Sequence, residues 1–277
     1  RPKYERRNET IAVLVMILLC IPVLFIYFSF FANAFILDST GELTLQNFQF
    51  LYQPIQLSQY TVEPIGKAFR NTVIFTAIAT TLEVTISCMA GYALARMEFT
   101  GKRVISFSLL TLRLFPGVLL LIGVLYVLLH LGILNTLTGV IVVAIALRLP
   151  GSTFIIRNFF AGIPQDIENS ALVDGCNRLT AFFQVIIHMV KPGLASISIF
   201  AFMSAWSNYL LFNVLIFNTK TPVLATYLRV LSRNDQMIAD YGVFAAMAMV
   251  YMLPVLIFFF ISQRQLMQGT ISGGKGI

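Results

Sequence analysis

Ionisable side chains are scarce in this sequence: 11% of its 277 residues are charged, whereas soluble domains run nearer to a quarter. A water-soluble fold has no way to cover so apolar a chain with polar surface. Histidine is scarcer still, with only His130 and His188. One sits at the edge of an apolar block and the other on a basic helix face, so neither supports a metal site or a catalytic pair. No HExxH run occurs and no serine-histidine-acid set can be assembled with plausible topology. The three cysteines, Cys20, Cys88 and Cys176, lie far apart without CxxC spacing, which excludes a disulfide framework and a zinc-type ligand set. A GxxxxGK[ST] loop is missing, so the chain has no phosphate-binding loop of its own. Alternation in segments of about ten residues is missing too, which argues against a membrane β-barrel.

What is present is apolar sequence in long blocks, at 58% hydrophobic overall. A helix needs about 20 apolar residues to cross a bilayer core. Six blocks meet that need: Ile11 to Phe31, Val73 to Leu94, Ile105 to His130, Leu137 to Ile156, Pro192 to Phe217 and Val243 to Ile261. Backbone groups in lipid must be satisfied within the structure, and for such blocks the helix does this. The prediction is an all-α polytopic membrane protein with six transmembrane helices in a single membrane domain over 1–277. The first block follows Arg1, Lys3, Arg6 and Arg7 and precedes Ala32-Asn33-Ala34, which mimics a secretory signal. Its apolar run exceeds the roughly 7–15 residues of a signal core, so it is read as an uncleaved anchor.

The formal net charge is +7, and its distribution sets the orientation. With the amino terminus in the cytosol, Arg1, Lys3, Arg6, Arg7, Arg96, Lys102, Arg103, Arg157, Arg178, Lys191, Arg264 and Lys275 fall inside. Lys67, Arg70, Lys220, Arg229 and Arg233 fall outside. The excess inside follows the positive-inside rule and places both termini in the cytosol, as an even number of spans requires. Topology thereby accounts for the basic charge, and no nucleic-acid partner is expected. External loops are predicted over 33–70 and 218–241, a cytosolic segment over 158–191 and a cytosolic tail over 263–277.

The cytosolic segment carries the strongest local signals. Ile163-Pro164-Gln165-Asp166 reads as a helix start, since proline suits the first turn and acids suit the positive helix end. The helix is expected to reach Val173, with Gly175 supplying the left-handed turn and Asp174 capping the helix that follows. In that second helix Leu179, Phe182, Phe183, Ile186, Ile187 and Val190 recur at spacings of three and four. Arg178, Gln184, His188 and Lys191 fall on the other side. Two placements fit this amphipathic helix: the membrane surface, with anionic lipid against its basic face, or a cleft in a partner protein.

The run Glu168-Asn169-Ser170-Ala171-Leu172-Val173-Asp174-Gly175-Cys176 resembles the EAA loop (Glu-Ala-Ala, two residues, Asp-Gly-Ala) of permease subunits of ATP-binding-cassette (ABC) importers. Asn169 stands where the motif has glutamate, and Ser170 and Cys176 replace alanines. His188 takes the place of a frequent proline, while Pro192 matches the family's second proline. Leu43-Thr44-Leu45-Gln46-Asn47-Phe48, Gly91-Tyr92-Ala93-Leu94-Ala95-Arg96, Phe115-Pro116-Gly117, Ala205-Trp206-Ser207-Asn208 and the tail from Gln263-Arg264 to Gly273-Gly274 are similar to the maltose-permease-like branch of carbohydrate importers.

The resemblance covers nearly the whole chain and implies a type I ABC importer permease fold in a prokaryotic cell (inner) membrane. It implies ATPase coupling by Glu168, Asn169, Ser170, Ala171, Asp174, Gly175 and Cys176. As partners it implies a second homologous permease, two ATPase subunits that bind ATP and Mg, an extracytoplasmic sugar-binding protein and membrane lipid. This chain itself would bind no cofactor and no metal. The tail 272–276 is expected to reach toward the ATPase pair.

Within the spans, Glu83, Arg113 and Arg148 fall near mid-depth, where charge is tolerated only if paired or facing water. They are expected to look inward, either lining a path or pairing Glu83 with one of the two arginines. Trp206, Asn208, Tyr209 and Asn213 combine aromatic faces with amides, which suits sugars and suits helix packing equally. Glu83, Arg113, Trp206, Asn208, Tyr209 and Asn213 are thus the candidate substrate-path residues. Pro116, Pro150 and Pro254 are the candidate helix kinks. The competing class is a secondary transporter acting without an ATPase, for which repeated halves would be expected; none is evident.

Overall fold

Apolar runs with few helix breakers set the architecture. In the computed structural model, which describes residues 3–37, 40–57, 60–217, 221–232 and 241–273, they form α1 (Lys3–Asn33), α2 (Gly66–Arg96), α3 (Lys102–Leu112), α4 (Gly117–His130) and α5 (Leu137–Ala161). Then follow α6 (Gln165–Val173), α7 (Arg178–Met189), α8 (Lys191–Trp206), α9 (Tyr209–Leu215), α10 (Leu224–Ser232) and α11 (Tyr241–Gly273). Residues 218–220 and 233–240 of the second expected external loop and 274–277 of the tail, with Lys220, Arg233 and Lys275, lie outside the described residues.

Among the described residues four helical stretches are long and apolar enough to cross a membrane: Ile11–Asn33, Gly66–Arg96, Leu137–Ala161 and Tyr241–Gln263. A fifth arises if α7 and α8, bent by 79° at Val190, form one span. The block expected as one span over 105–130 is instead two helices, α3 and α4, separated at Arg113–Pro116. Pro116 stands at the amino-terminal cap of α4 with φ −60° and ψ 120°, and the missing amide of proline cannot continue the ladder of α3. The block expected over 192–217 breaks at Ser207–Asn208. There the Tyr209 amide donates to the Ser207 carbonyl (2.8 Å) and the Asn208 side chain accepts from the Leu211 amide (3.4 Å). Pro150 and Pro254, by contrast, lie inside the uninterrupted helices α5 and α11.

Two compact units divide the chain, residues 1–66 with 227–253, and 67–226 with 254–277. In the first, α1 is followed by a short 3-10 turn at Gln46–Leu51 and an antiparallel hairpin, Ile55–Leu57 with Tyr60–Val62, a small β element the all-α reading did not include. The buried Asn47 holds this region: its Nδ2 donates to the carbonyls of Ala34 (3.1 Å) and Ile36 (2.8 Å), and it packs directly on Gly242, where any Cβ would collide with it. Tyr227 donates its hydroxyl to the Glu63 carbonyl (3.0 Å), and burial pushes that phenol up to about 12.

Among the described residues, the second unit shows two apolar cores. One gathers Phe75 and Ala79 of α2, Leu121 and Leu128 of α4, Val140 and Ala144 of α5, and Phe212 and Leu215 of α9. Phe75 meets Phe212 edge-on at 4.7 Å. The other gathers Cys88 and Tyr92 of α2, Ile156 and Phe160 of α5, Phe182, Ile186 and Val190 around α7, and Ile197 of α8. Two glycines make the second core possible by close approach: a Cβ on Gly91 would sit 2.5 Å from the Ile156 Cγ2, and one on Gly193 2.5 Å from the Phe159 ring.

Candidate functional site

The intramembrane charges resolve into one pair and one separate arginine. Glu83, 2% exposed, faces Arg148 of α5, whose Nε lies 3.0 Å from its Oε2. The Ser152 hydroxyl donates to the other carboxylate oxygen. Arg148 also donates from Nη2 to the Phe200 carbonyl (2.9 Å), so one ionic cluster ties α2, α5 and α8. The partner of Glu83 is therefore Arg148 and not Arg113. Burying charges is costly, but here every carboxylate oxygen and two guanidinium donors have partners, which is the condition under which such a pair persists.

Arg113 lies at the α3–α4 break. Its guanidinium sits over the Phe154 ring at 5.5 Å, and it approaches Gly151 of α5, with the Arg113 Nε 3.9 Å from where a Cβ would stand. Arg113 and Arg148 line a cavity of about 830 Å³ with Ser204, Ser207, Asn208 and Tyr209. The cavity is formed around the α3–α4 and α8–α9 breaks; irregular backbone at membrane depth is tolerated where it borders a cavity or protein.

Of the candidate path residues, then, Arg113, Asn208 and Tyr209 line this space and Glu83 stands behind it through Arg148 and Ser152. Trp206 is buried instead, edge-on to Phe69 at 6.2 Å and stacked on Phe202 at 5.9 Å. Asn213 lies one turn beyond Tyr209 in α9, half-buried and not among the cavity-lining residues. Sequence reasoning missed Ser152, Ser204 and Ser207; their place at or one turn from Arg148 and Asn208 is the signal that finds them.

The second feature is the α6–α7 segment. Helix α6 runs from Gln165 to Val173 behind Pro164. It closes with the Cys176 amide on the Ala171 carbonyl (3.0 Å) and the Gly175 amide on the Leu172 carbonyl (3.2 Å), with Gly175 at φ +92°, the paired bonds of a Schellman turn. Asp174 ends α6 rather than capping α7. Asn177 is the cap, its Oδ1 accepting from the Thr180 amide at 2.8 Å. Asp174 cannot cap α7 because the left-handed Gly175 and Cys176 separate it from the helix start, and the chain becomes extended only at Asn177.

Burial splits the motif residues. Glu168 and Ala171 face inward: Glu168 accepts from the Tyr92 hydroxyl at 2.7 Å and lies 3.7 Å from the Arg96 Nε, while Arg96 also donates to the Ile163 carbonyl. Asn169, Ser170, Asp174 and Gly175 are exposed and Cys176 is half-buried. The apolar stripe of α7 divides likewise. Phe182, Ile186 and Val190 are buried, but Leu179 and Phe183 are 70% and 59% exposed, beside Val173 at 86%. A π-helical turn at Phe182–Ile186 shifts the register, and that separates Leu179 and Phe183 from the buried face.

A chain with membrane-length helices, interrupted helices around a cavity and an outward helix–turn–helix is a membrane transport subunit in form, and the comparisons agree. Residues 83–271 match the model of the family "Binding-protein-dependent transport system inner membrane component", and the chain belongs to that family. It is 32% identical over 276 residues to the diacetylchitobiose uptake system permease protein NgcG of Streptomyces coelicolor, covering 98% of this chain and 89% of that protein. It is 30% identical over 234 residues to the trehalose transport system permease protein SugB of Mycobacterium tuberculosis, covering 84% and 82%. In fold it is similar to a chain of a bacterial ABC transporter involved in the import of the acidic polysaccharide alginate, with TM-score 0.79, 18% identity and coverage of 95% and 98%. Proteins of this family are transport components, not enzymes.

Proposed function

We propose that the chain is one of two membrane-spanning permease subunits of an ATP-driven importer of disaccharides or short oligosaccharides in a prokaryotic inner membrane. The observation that carries this reading is the α6–α7 turn: Glu168 and Ala171 hold it to the bundle, while Asn169, Ser170, Val173, Asp174 and Leu179 are presented outward. A polar helix tip with an apolar rim suits a protein cleft better than lipid alone, and the lipid-surface placement has no use for the exposed polar tip. Names of relatives that take up diacetylchitobiose, trehalose and maltodextrin support the sugar class.

In this reading two ATPase subunits bind ATP and Mg, a second permease completes the pathway and an extracytoplasmic sugar-binding protein delivers the substrate. Closure of the ATPase pair pushes on α6 and α7. The push passes through Glu168 to Tyr92 of α2 and through the bend at Val190 to α8, and the cavity changes the side it opens to. The serines with Asn208 and Tyr209 offer hydrogen bonds to sugar hydroxyls as it passes.

The test is reconstitution. Co-expression with candidate ATPase and binding-protein partners should give a complex whose ATP hydrolysis in proteoliposomes rises when the loaded binding protein is added. Sugar uptake by this chain alone, driven by an ion gradient and indifferent to ATP, would instead establish the secondary transporter.

A further inference from the structure

We infer that the cavity at the α3–α4 break accepts a substrate carrying an anionic group, a carboxylate, sulfonate or phosphate, and that Arg113 is its cationic contact. This rests on the reading of that cavity as part of the translocation path.

The charge census of the lining carries the inference. Two arginines line the cavity and no aspartate or glutamate does. The two are not equivalent. Arg148 is neutralised by Glu83 at 3.0 Å and has a second donor fixed on the Phe200 carbonyl, so its hydrogen-bonding capacity is largely used by the fold. Arg113 is exposed, and among the described residues no carboxylate lies within ion-pair distance of it. Its described contact is the face of Phe154, which orients the guanidinium without cancelling its charge.

A positive charge at membrane depth is expensive unless it faces water or meets an anion. In a cleft with low-dielectric walls it also concentrates anions. A guanidinium offers a planar fork that fits a carboxylate, sulfonate or phosphate. The remaining polar lining, Ser152, Ser204, Ser207, Asn208 and Tyr209, is uncharged and suited to hydroxyls. One cationic point among neutral hydrogen-bonding groups describes a polyhydroxylated ligand that presents an anionic group to it, such as an acidic sugar. The competing source of the anion is a carboxylate of the second permease chain.

The experiment uses the assembled transporter in proteoliposomes, with Cys20, Cys88 and Cys176 changed to serine and Ser204→Cys added as a reporter. Its labelling rates by sulfonatoethyl (anionic) and trimethylammonioethyl (cationic) methanethiosulfonate are compared with those of 2-mercaptoethanol. An anionic preference of about tenfold is expected, abolished in Arg113→Gln and kept in Arg113→Lys. Digalacturonate should protect the thiol at concentrations where maltose does not, and Arg113→Gln should remove that difference.

Labelling by both reagents without preference overturns the inference and assigns the compensating carboxylate to the second permease. Equal protection by the two sugars, or none by digalacturonate, overturns it as well. If the thiol never reacts, with or without ATP and binding protein, the pathway reading itself fails and the inference falls with it.

Discussion

Glu83 of α2 and Arg148 of α5 stand 3.0 Å apart in a buried pair, and the arginine has a second bond to the Phe200 carbonyl of α8. Removing one partner strands the other. Glu83→Gln should lower stability by about 2–4 kcal/mol, toward the low end of what unpairing a buried charge costs because Arg148 keeps the Phe200 bond. Glu83→Gln with Arg148→Met should recover most of the loss. Thermal unfolding of the purified transporter measures both; a double variant no better than the single one would show that the pair is not what the bundle depends on.

Gly175 separates two causes of a defect. Its φ of +92° suits glycine, and nothing lies within 4 Å of where its Cβ would be. Gly175→Val should strain the turn by roughly 1–2 kcal/mol, whereas Gly175→Asn adopts the left-handed conformation more readily. If the turn docks in an ATPase cleft, both variants reach the membrane in normal amount and both lose uptake, since either side chain fills the docking space. Uptake retained in the asparagine variant would confine the role of Gly175 to backbone conformation.

Tyr92 and Glu168 couple α2 to α6 at 2.7 Å, and the Tyr92 ring also lies 4.7 Å from that of Phe182 in α7. Tyr92→Phe keeps the ring contact and removes a hydrogen bond to a carboxylate, worth about 1.5–3 kcal/mol. The expected result is ATP hydrolysis that continues while sugar transported per ATP falls. An unchanged ratio would remove this link from the proposed path of force.

Asn47 predicts a local effect. Asn47→Leu leaves the Ala34 and Ile36 carbonyls without their side-chain donor, at a cost of about 1–3 kcal/mol. Limited proteolysis should then cut the 33–70 segment faster, with cleavage elsewhere unchanged.

Much of the architecture was legible in the sequence because its causes are local. Long apolar blocks gave α1, α2, α5 and α11, and the Pro164 and Gly175 signals bounded α6 almost to the residue. Pro116 marked an irregularity in the third block, and the structure makes it a full break; the break at Ser207–Asn208 was not legible, because hydropathy counts apolar residues and does not register a lost backbone bond. The choice of Arg148 over Arg113 for Glu83 depends on which helices pack, which no spacing along one chain encodes. The exposure of Leu179 and Phe183 depends on a π turn that a 3.6-residue period cannot anticipate. The cap at Asn177 in place of Asp174 shows the same limit at short range, since the chain must first leave the left-handed glycine.

The empty space around Gly175 has an evolutionary consequence. Glu168 and Ala171 answer to this chain's own interior, so change there is penalised by misfolding. The tip at Asn169, Ser170 and Asp174 is exposed, so if it docks as proposed, its residues answer chiefly to the surface it meets. On that reading, asparagine at 169 in place of the motif's glutamate is tolerable in a matched set of subunits, and a tip transplanted from another system should fold here yet fail to mate.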